Sequence, residues 1–207
     1  MFIPRLFKTT DTHSVRQFIR DHSFGILIST VGGKPWATHI PLILMQDAEG
    51  REFLSGHVSK ANPQWKEFGK NPEVLAIFTG SHSYISSSWY DHENAPTWNY
   101  LAVHVYGTLQ TVEGEELKAH LAAMVHTYEA SMPHPLAVER MSESFIQREM
   151  KGIVGFSITI TEIQAAEKLS QNRDDTNYRH IIEGLETQGD PDSVAMAAIM
   201  KKKRPLP

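Results

Sequence analysis

The chain has 207 residues, 41% of them hydrophobic, enough to bury the core of one domain with appendages. It contains no cysteine, which excludes disulfides, thiolate metal sites and cysteine nucleophiles, and its formal net charge of −4 lacks the positive footprint of a nucleic-acid-binding domain. No apolar run approaches the roughly 20 residues that span a bilayer, and Met1 to Lys8 do not read as a secretory signal, so a cytoplasmic protein with no membrane partner is expected.

Thr10 or Asp11 can cap a helix running to about His22, with Val15, Phe18 and Ile19 at helical spacing. Phe24 to Thr30 reads as a buried strand, Gly32 and Gly33 as a hairpin turn, and Trp36 to Leu44 as a second strand that Pro41 confines to an edge or a bulge. After a turn at Asp47 to Gly50, Arg51 to Val58 forms a third strand. Asn62 and Pro63 open a helix that runs to about Phe68. Glu73 to Thr79 is a fourth strand, extended by Tyr84 to Tyr90 after a kink, and Trp98 to Val112 alternates over the length of a long fifth. Glu113 to Glu129 is the clearest helix, with an apolar stripe of Leu117, Leu121, Met124, Val125 and Tyr128. A helix over Val138 to Met150, a sixth strand over Ile153 to Ile163 and two C-terminal helices complete the chain.

Six short strands with central helices indicate a mainly β, α+β architecture closed into a six-stranded antiparallel barrel, since closure removes exposed strand edges. The domain is expected over residues 1–188, with a C-terminal helix and basic tail over 189–207. That tail carries Lys201, Lys202, Lys203 and Arg204, either solvated or in contact with a phosphate.

Four stretches carry chemistry. ATHIPL, from Ala37, lies on a strand. GHVSKANPQW, from Gly56, puts Ser59, Lys60 and Asn62 between a strand and a helix start, where unpaired N–H groups and a lysine suit a phosphate; the same pattern also serves an ordinary cap beside a surface lysine. YISSSWY with PTWNY, from Tyr84 and Pro96, interleaves aromatic rings with hydroxyls and amides, a mixture that suits a planar polar ligand or a protein interface. KLSQNR, from Lys168, gathers donors that suit an anion or a ring carbonyl.

Together with MFIP at the start and GIVGF where the last strand begins, these stretches resemble the PaiB family of FMN-binding negative transcriptional regulators, from Met1 to about Leu185. The family is similar to the pyridoxamine-phosphate oxidases, split-barrel homodimers with FMN in two clefts between protomers. The resemblance implies a homodimer with FMN at its interface. It implies a phosphate site at Ser59 and Lys60, with His57 and Asn62 beside them, and Thr38 and His39 along the flavin. It implies a cross-dimer contribution from Trp98, Asn99 and Tyr100, and Gln171 and Arg173 toward the substrate side. Ser59 and Lys60 are spaced more tightly than in the oxidases, and the full oxidase signature is absent, so their substrate does not carry over.

Two functions follow. One is a flavin-binding regulator, for which direct DNA binding finds no helix-turn-helix and no basic face. The other is an FMN-dependent oxidoreductase of unknown substrate, which needs no catalytic nucleophile because FMN brings its own redox chemistry. A third reading replaces FMN with haem, and His57, His104 and His126 are then the candidate axial ligands.

Overall fold

The computed structural model describes residues 1–205. Asp11 starts the first helix, α1 (Thr12–Asp21), by accepting the backbone N–H of His13 at 3.1 Å. Strands β1 (Phe24–Val31) and β2 (Lys34–Pro41) form a hairpin in full register from Phe24↔Pro41 to Val31↔Lys34. Its two-residue turn needs positive φ at both positions, and Gly32 and Gly33 supply it at 56° and 77°.

The second predicted strand is two. Proline ends β2 at Pro41. Leu42 then turns inward, fully buried, with its N–H on Ser23 O at 2.7 Å, and the chain restarts as β3 (Ile43–Gln46), paired with β4 (Glu52–Ser59). The sheet therefore has seven strands and not six, and the order β2-β1-β5-β6-β7-β4-β3 leaves the proline-bearing β2 at an edge. The strand read over Glu73 to Thr79 continues to Ile85 as β5 (Glu73–Ile85), and the extension expected over Tyr84 to Tyr90 stops there, giving way to a 3-10 turn over Ser87–Trp89. Strands β6 (Thr97–Val112) and β7 (Ile153–Lys168) are the longest, and the pairings β1–β2, β1–β5, β3–β4 and β4–β7 are antiparallel.

The chain divides into two compact units, and β5, β6 and β7 each contribute to both. The barrel unit comprises Ile19–Phe78 and His104–Ile163. In it β2 comes back against β4, so the sheet curls on itself around Leu27, Leu42, Leu54, Phe68, Phe78, Phe156 and Ile158, each no more than 1% exposed. Gly107 on β6 is obligatory here, because an added Cβ would lie 2.4 Å from the backbone oxygen of Thr159. Helix α2 (Gly114–Glu129) packs on this unit by Leu117 of the expected stripe together with His120, while Leu121, Met124 and Val125 are only half-buried. Leu117 and His120 are its buried residues, and Tyr128 stays 38% exposed while sharing a hydrogen bond with Ser23 Oγ at 2.7 Å. Gly155 allows the close approach: a Cβ there would meet Leu117 Cδ1 at 2.5 Å. The helix expected from Val138 is shortened to α3 (Glu143–Met150), because Ser142 accepts the N–H of Phe145 and caps it.

The helical unit comprises Met1–Phe18, Thr79–Val103 and Gln164–Pro207. Helices α4 (Asp175–Gln188) and α5 (Pro191–Lys203) form a hairpin with a cap at each end. Asp174 and Asp190 accept the N–H groups of Asn177 and Ser193, Gly189 takes the left-handed C-cap at φ 75°, and Pro191 opens α5. Tyr178, Ile181, Ile182 and Leu185 of α4 interlock with Met196, Ala197 and Met200 of α5 over Ile85, Leu101 and Leu169, each large apolar side chain contributing about 1.5–3 kcal/mol on burial.

Candidate functional site

In the barrel unit β4 ends at Ser59, and the segment after it is a single five-residue 3-10 turn, Pro63–Glu67, where the sequence pattern indicates a helix. So short a turn adds little macrodipole, and any hold on an anion rests on side chains. The turn is braced from beneath. Asn62 accepts the N–H of Gln64 at 3.0 Å and donates to Thr38 Oγ1 at 3.0 Å, while Thr38 donates to Gln64 Oε1 at 2.6 Å. Gln64, with no exposed surface, also donates to Ser29 Oγ at 3.0 Å, which fastens the turn to β1. Thr38 and Asn62 are thus engaged in positioning, and Gln64 is the hub that sequence reasoning passed over.

What this brace presents outward is a set of donors. Ser59 Oγ accepts from Ala61 N–H at 3.3 Å, which leaves its own hydrogen available. Lys60 is exposed, and its ammonium forms no ion pair with a described residue; its backbone is fixed by Lys60 N–H to Gly152 O at 2.8 Å and by Trp65 Nε1 to Lys60 O at 2.9 Å. Lys60 lines a cleft of about 440 Å³ with Trp65, Gln147 and Lys151. His39 is exposed on β2.

His57 sits two residues before Ser59 on the same face of β4. Its Nδ1 lies 3.2 Å from Nε2 of His120 on α2, whose Nδ1 lies 2.7 Å from the buried Ser55 Oγ. Burial, and secondarily the neighbouring His57, pushes His120 from the ordinary 6.5 down to about 4; burial lowers His57 too. His120 gives no signal in the sequence beyond standing three residues after Leu117 on the inner face of an amphipathic helix.

In the helical unit Trp98 is 53% exposed and meets Tyr84 edge-on at 5.8 Å and His82 at 6.2 Å. Asn99 is buried, accepting from Ser170 Oγ at 3.0 Å and donating to Met200 Sδ at 3.5 Å; Tyr100 is half-buried. That bond fixes Ser170, the one described non-glycine residue with positive φ, at 57°. Gln171 is engaged with the backbone, accepting from Leu169 N–H at 2.8 Å and donating to Glu167 O at 2.7 Å. The Arg173 guanidinium lies 5.0 Å from the centre of the Tyr90 ring. The basic run has exposed lysines that lie at the end of α5, and three of its four cations are paired: Lys201 with Glu186 at 2.5 Å, Lys203 with Glu167 at 2.8 Å, and Arg204 with Asp175 while donating to Arg173 O at 2.6 Å.

The family model described as "Putative FMN-binding domain" matches residues 1–162. The chain is 43% identical over 203 residues to protease synthase and sporulation protein PAI 2 of Bacillus subtilis, covering 98% of each chain. The chain belongs to the FMN-binding PaiB family. An uncharacterized protein of Aspergillus fumigatus is 27% identical over 98% of this chain and 97% of its own. Among solved structures the fold is similar to that of an FAD and heme binding protein from Mycobacterium smegmatis, with TM-score 0.61 and 14% identity over 78% of this chain and 73% of that one. It is also similar to flavocytochrome Anf3 from Azotobacter vinelandii, with TM-score 0.61 and 16% identity over 86% and 78%. These are flavin-binding split-barrel folds, and the PaiB chain shares that architecture.

The residues fit the family's cofactor at its anionic end, where Ser59 and Lys60 offer a hydroxyl and an ammonium with no internal partner for either hydrogen-bond donor. As a possible haem site the structure leaves His57 only its Nε2, since Nδ1 is bonded to His120; His126 is exposed. No described helix is long and apolar enough to cross a membrane.

Proposed function

We propose that this PaiB-family chain works in the cytoplasm as a homodimer with FMN between protomers, and that Ser59 and Lys60 hold the phosphate. The unpaired Lys60 ammonium beside the braced Ser59 hydroxyl carries this reading. Thr38, Asn62 and Gln64 give the pair a fixed geometry, so little ordering entropy remains to be lost on binding. His39 and His57 complete the polar margin. In the other unit Trp98 and Tyr84 offer flat apolar surface of the kind a ring stacks on, while Asn99 holds Ser170, Gln171 braces the backbone of Glu167 and Leu169, and Arg173 stacks on Tyr90. Bound FMN would supply redox chemistry that no side chain here provides.

A regulator's role fits the family, and it is indirect in this reading. Lys201, Lys203 and Arg204 are engaged with carboxylates of their own unit, and a net charge of −4 opposes phosphate backbones. A second reading, an FMN-dependent oxidoreductase, is favoured by the exposed aromatic group of His82, Tyr84 and Trp98, which leaves surface for a planar second substrate. An FMN titration followed by absorbance, then anaerobic addition of NADPH, tests both. Saturable binding is expected, and its absence overturns the proposal. Rapid bleaching on NADPH marks an oxidoreductase, whereas flavin that binds and stays oxidised marks a regulator. Light scattering of the purified protein reads the dimer.

A further inference from the structure

The chain Ser55–His120–His57 has a direction, and three observations fix it. Ser55 is 3% exposed, and its only hydrogen-bond partner among the described residues is His120 Nδ1, at 2.7 Å. Ser157, which faces Ser55 across the β4–β7 register, is also buried, and its hydroxyl has no partner, so it does not take the Ser55 hydrogen. If His120 donated to Ser55, the serine's own hydrogen would be buried with no acceptor among the described residues; with the serine as donor, only lone pairs go unfilled, which is cheaper. Ser55 therefore donates to His120 Nδ1. Neutral His120 then carries its hydrogen on Nε2 and donates it to His57 Nδ1, at 3.2 Å. Neutral His57 is left with its hydrogen on Nε2, which no described residue accepts, and His57 is half-buried.

We infer that Ser55 and His120 are positioning residues that fix His57 as an outward hydrogen-bond donor, so that the end of β4 is specific for an anion. Ser59 shares the face of His57 and keeps a free hydrogen, and Lys60 follows with an unpaired ammonium. The three groups present donors, the pattern that selects a phosphate or another oxyanion over a cationic ligand, and although Glu113 also lines the Lys60 cleft, Lys151 stands there beside it. The inference rests on the proposed phosphate site, which His120 and Ser55 serve without touching the ligand.

Nitrogen-15 NMR of the imidazoles in the FMN-free protein near neutral pH decides the direction. The expected result is an Nε2–H tautomer for His57 and for His120, and a His57 Nε2–H resonance that moves on addition of inorganic phosphate. Ser55→Ala is expected to remove the bias, so that His120 and His57 each populate both tautomers. His57→Leu is expected to weaken FMN binding about tenfold, and His57→Gln, which keeps an N–H donor, to recover most of it. An Nδ1–H tautomer for His57 overturns the inference and leaves FMN binding by Ser59 and Lys60 intact. An Nε2–H resonance indifferent to phosphate overturns the anion specificity. Correct tautomers and a phosphate response in a protein that binds no FMN support the inference and remove FMN from the site.

Discussion

Acidification should loosen the barrel unit through His120. The native state holds this imidazole neutral, with its protonation displaced from 6.5 to about 4. Unfolded chains bind the proton more readily, so between these values the unfolded state carries more protons and stability rises with pH. The contribution is complete above about pH 6.5 and is lost as pH falls towards about 4. At about 1.36 kcal/mol per pH unit the full difference is about 3 kcal/mol, of which about 2 kcal/mol has gone by pH 5. His57, also lowered by burial, adds to the same loss, and at 3.2 Å the two titrate as a pair. Urea denaturation of the wild type and His120→Gln at pH 7 and pH 5 isolates the effect, because the Asp47, Asp91, Asp174 and Asp190 carboxylates, already lowered by hydrogen bonds, titrate below that window. The wild type should lose about 2 kcal/mol and the variant clearly less. Equal losses in the two proteins would refute the assignment of the acid sensitivity to this buried pair.

Removing the Lys60 ammonium by Lys60→Ala should weaken FMN binding by about 1.5–3 kcal/mol, read by titration; unchanged affinity removes Lys60 from the site. Gly107→Ala should cost about 3 kcal/mol or prevent folding, because the methyl group meets the Thr159 carbonyl, backbone that cannot yield, as well as Ile158 Cγ2; calorimetry showing an unchanged Tm contradicts that packing. Asp190→Ala should lower stability by about 1 kcal/mol through loss of the α5 cap, measured by chemical denaturation. The electrophoretic mobility of duplex DNA should be unaffected by the protein at about 0.15 M salt, and a salt-dependent shift would show that the basic run of α5 is more available than its ion pairs allow.

Much of this fold is written locally. The Gly32–Gly33 turn, the alternation from Leu101 to Leu109 and the Asn62 cap each depend on residues within a few positions, and the structure has each where the sequence indicates, although the turn that Asn62 caps stops short of the expected helix. The split of the second strand was half legible: Pro41 announces an interruption, but only the burial of Leu42 against a distant core shows that a separate strand follows. The apolar stripe of α2 misled because periodicity records which residues are apolar and not which face meets a polar stretch of sheet. There Ser55 and His57 draw in His120, and the stripe is left half-exposed. The candidate site shows the same divide. Ser59 and Lys60 stand out as a pair in sequence. Gln64, His120 and Ser55 do not, because their importance comes from partners 26 to 65 positions away in the chain. The partners of the basic run were not legible for the same reason, since Glu167 on β7 and Asp175 and Glu186 on α4 reach it only in the folded unit.

The helical unit is assembled from three separate stretches of chain, and its core lacks Met196, Ala197 and Met200 until the last of them is in place. A ribosome delivers the barrel strands first. Ile85, Leu101 and Tyr178 must then wait, with their apolar surfaces uncovered, until synthesis has passed Met200, whose carbonyl accepts the Tyr178 hydroxyl at 3.0 Å. Newly made chains therefore offer these apolar surfaces to chaperones and proteases until α5 has been made and has docked.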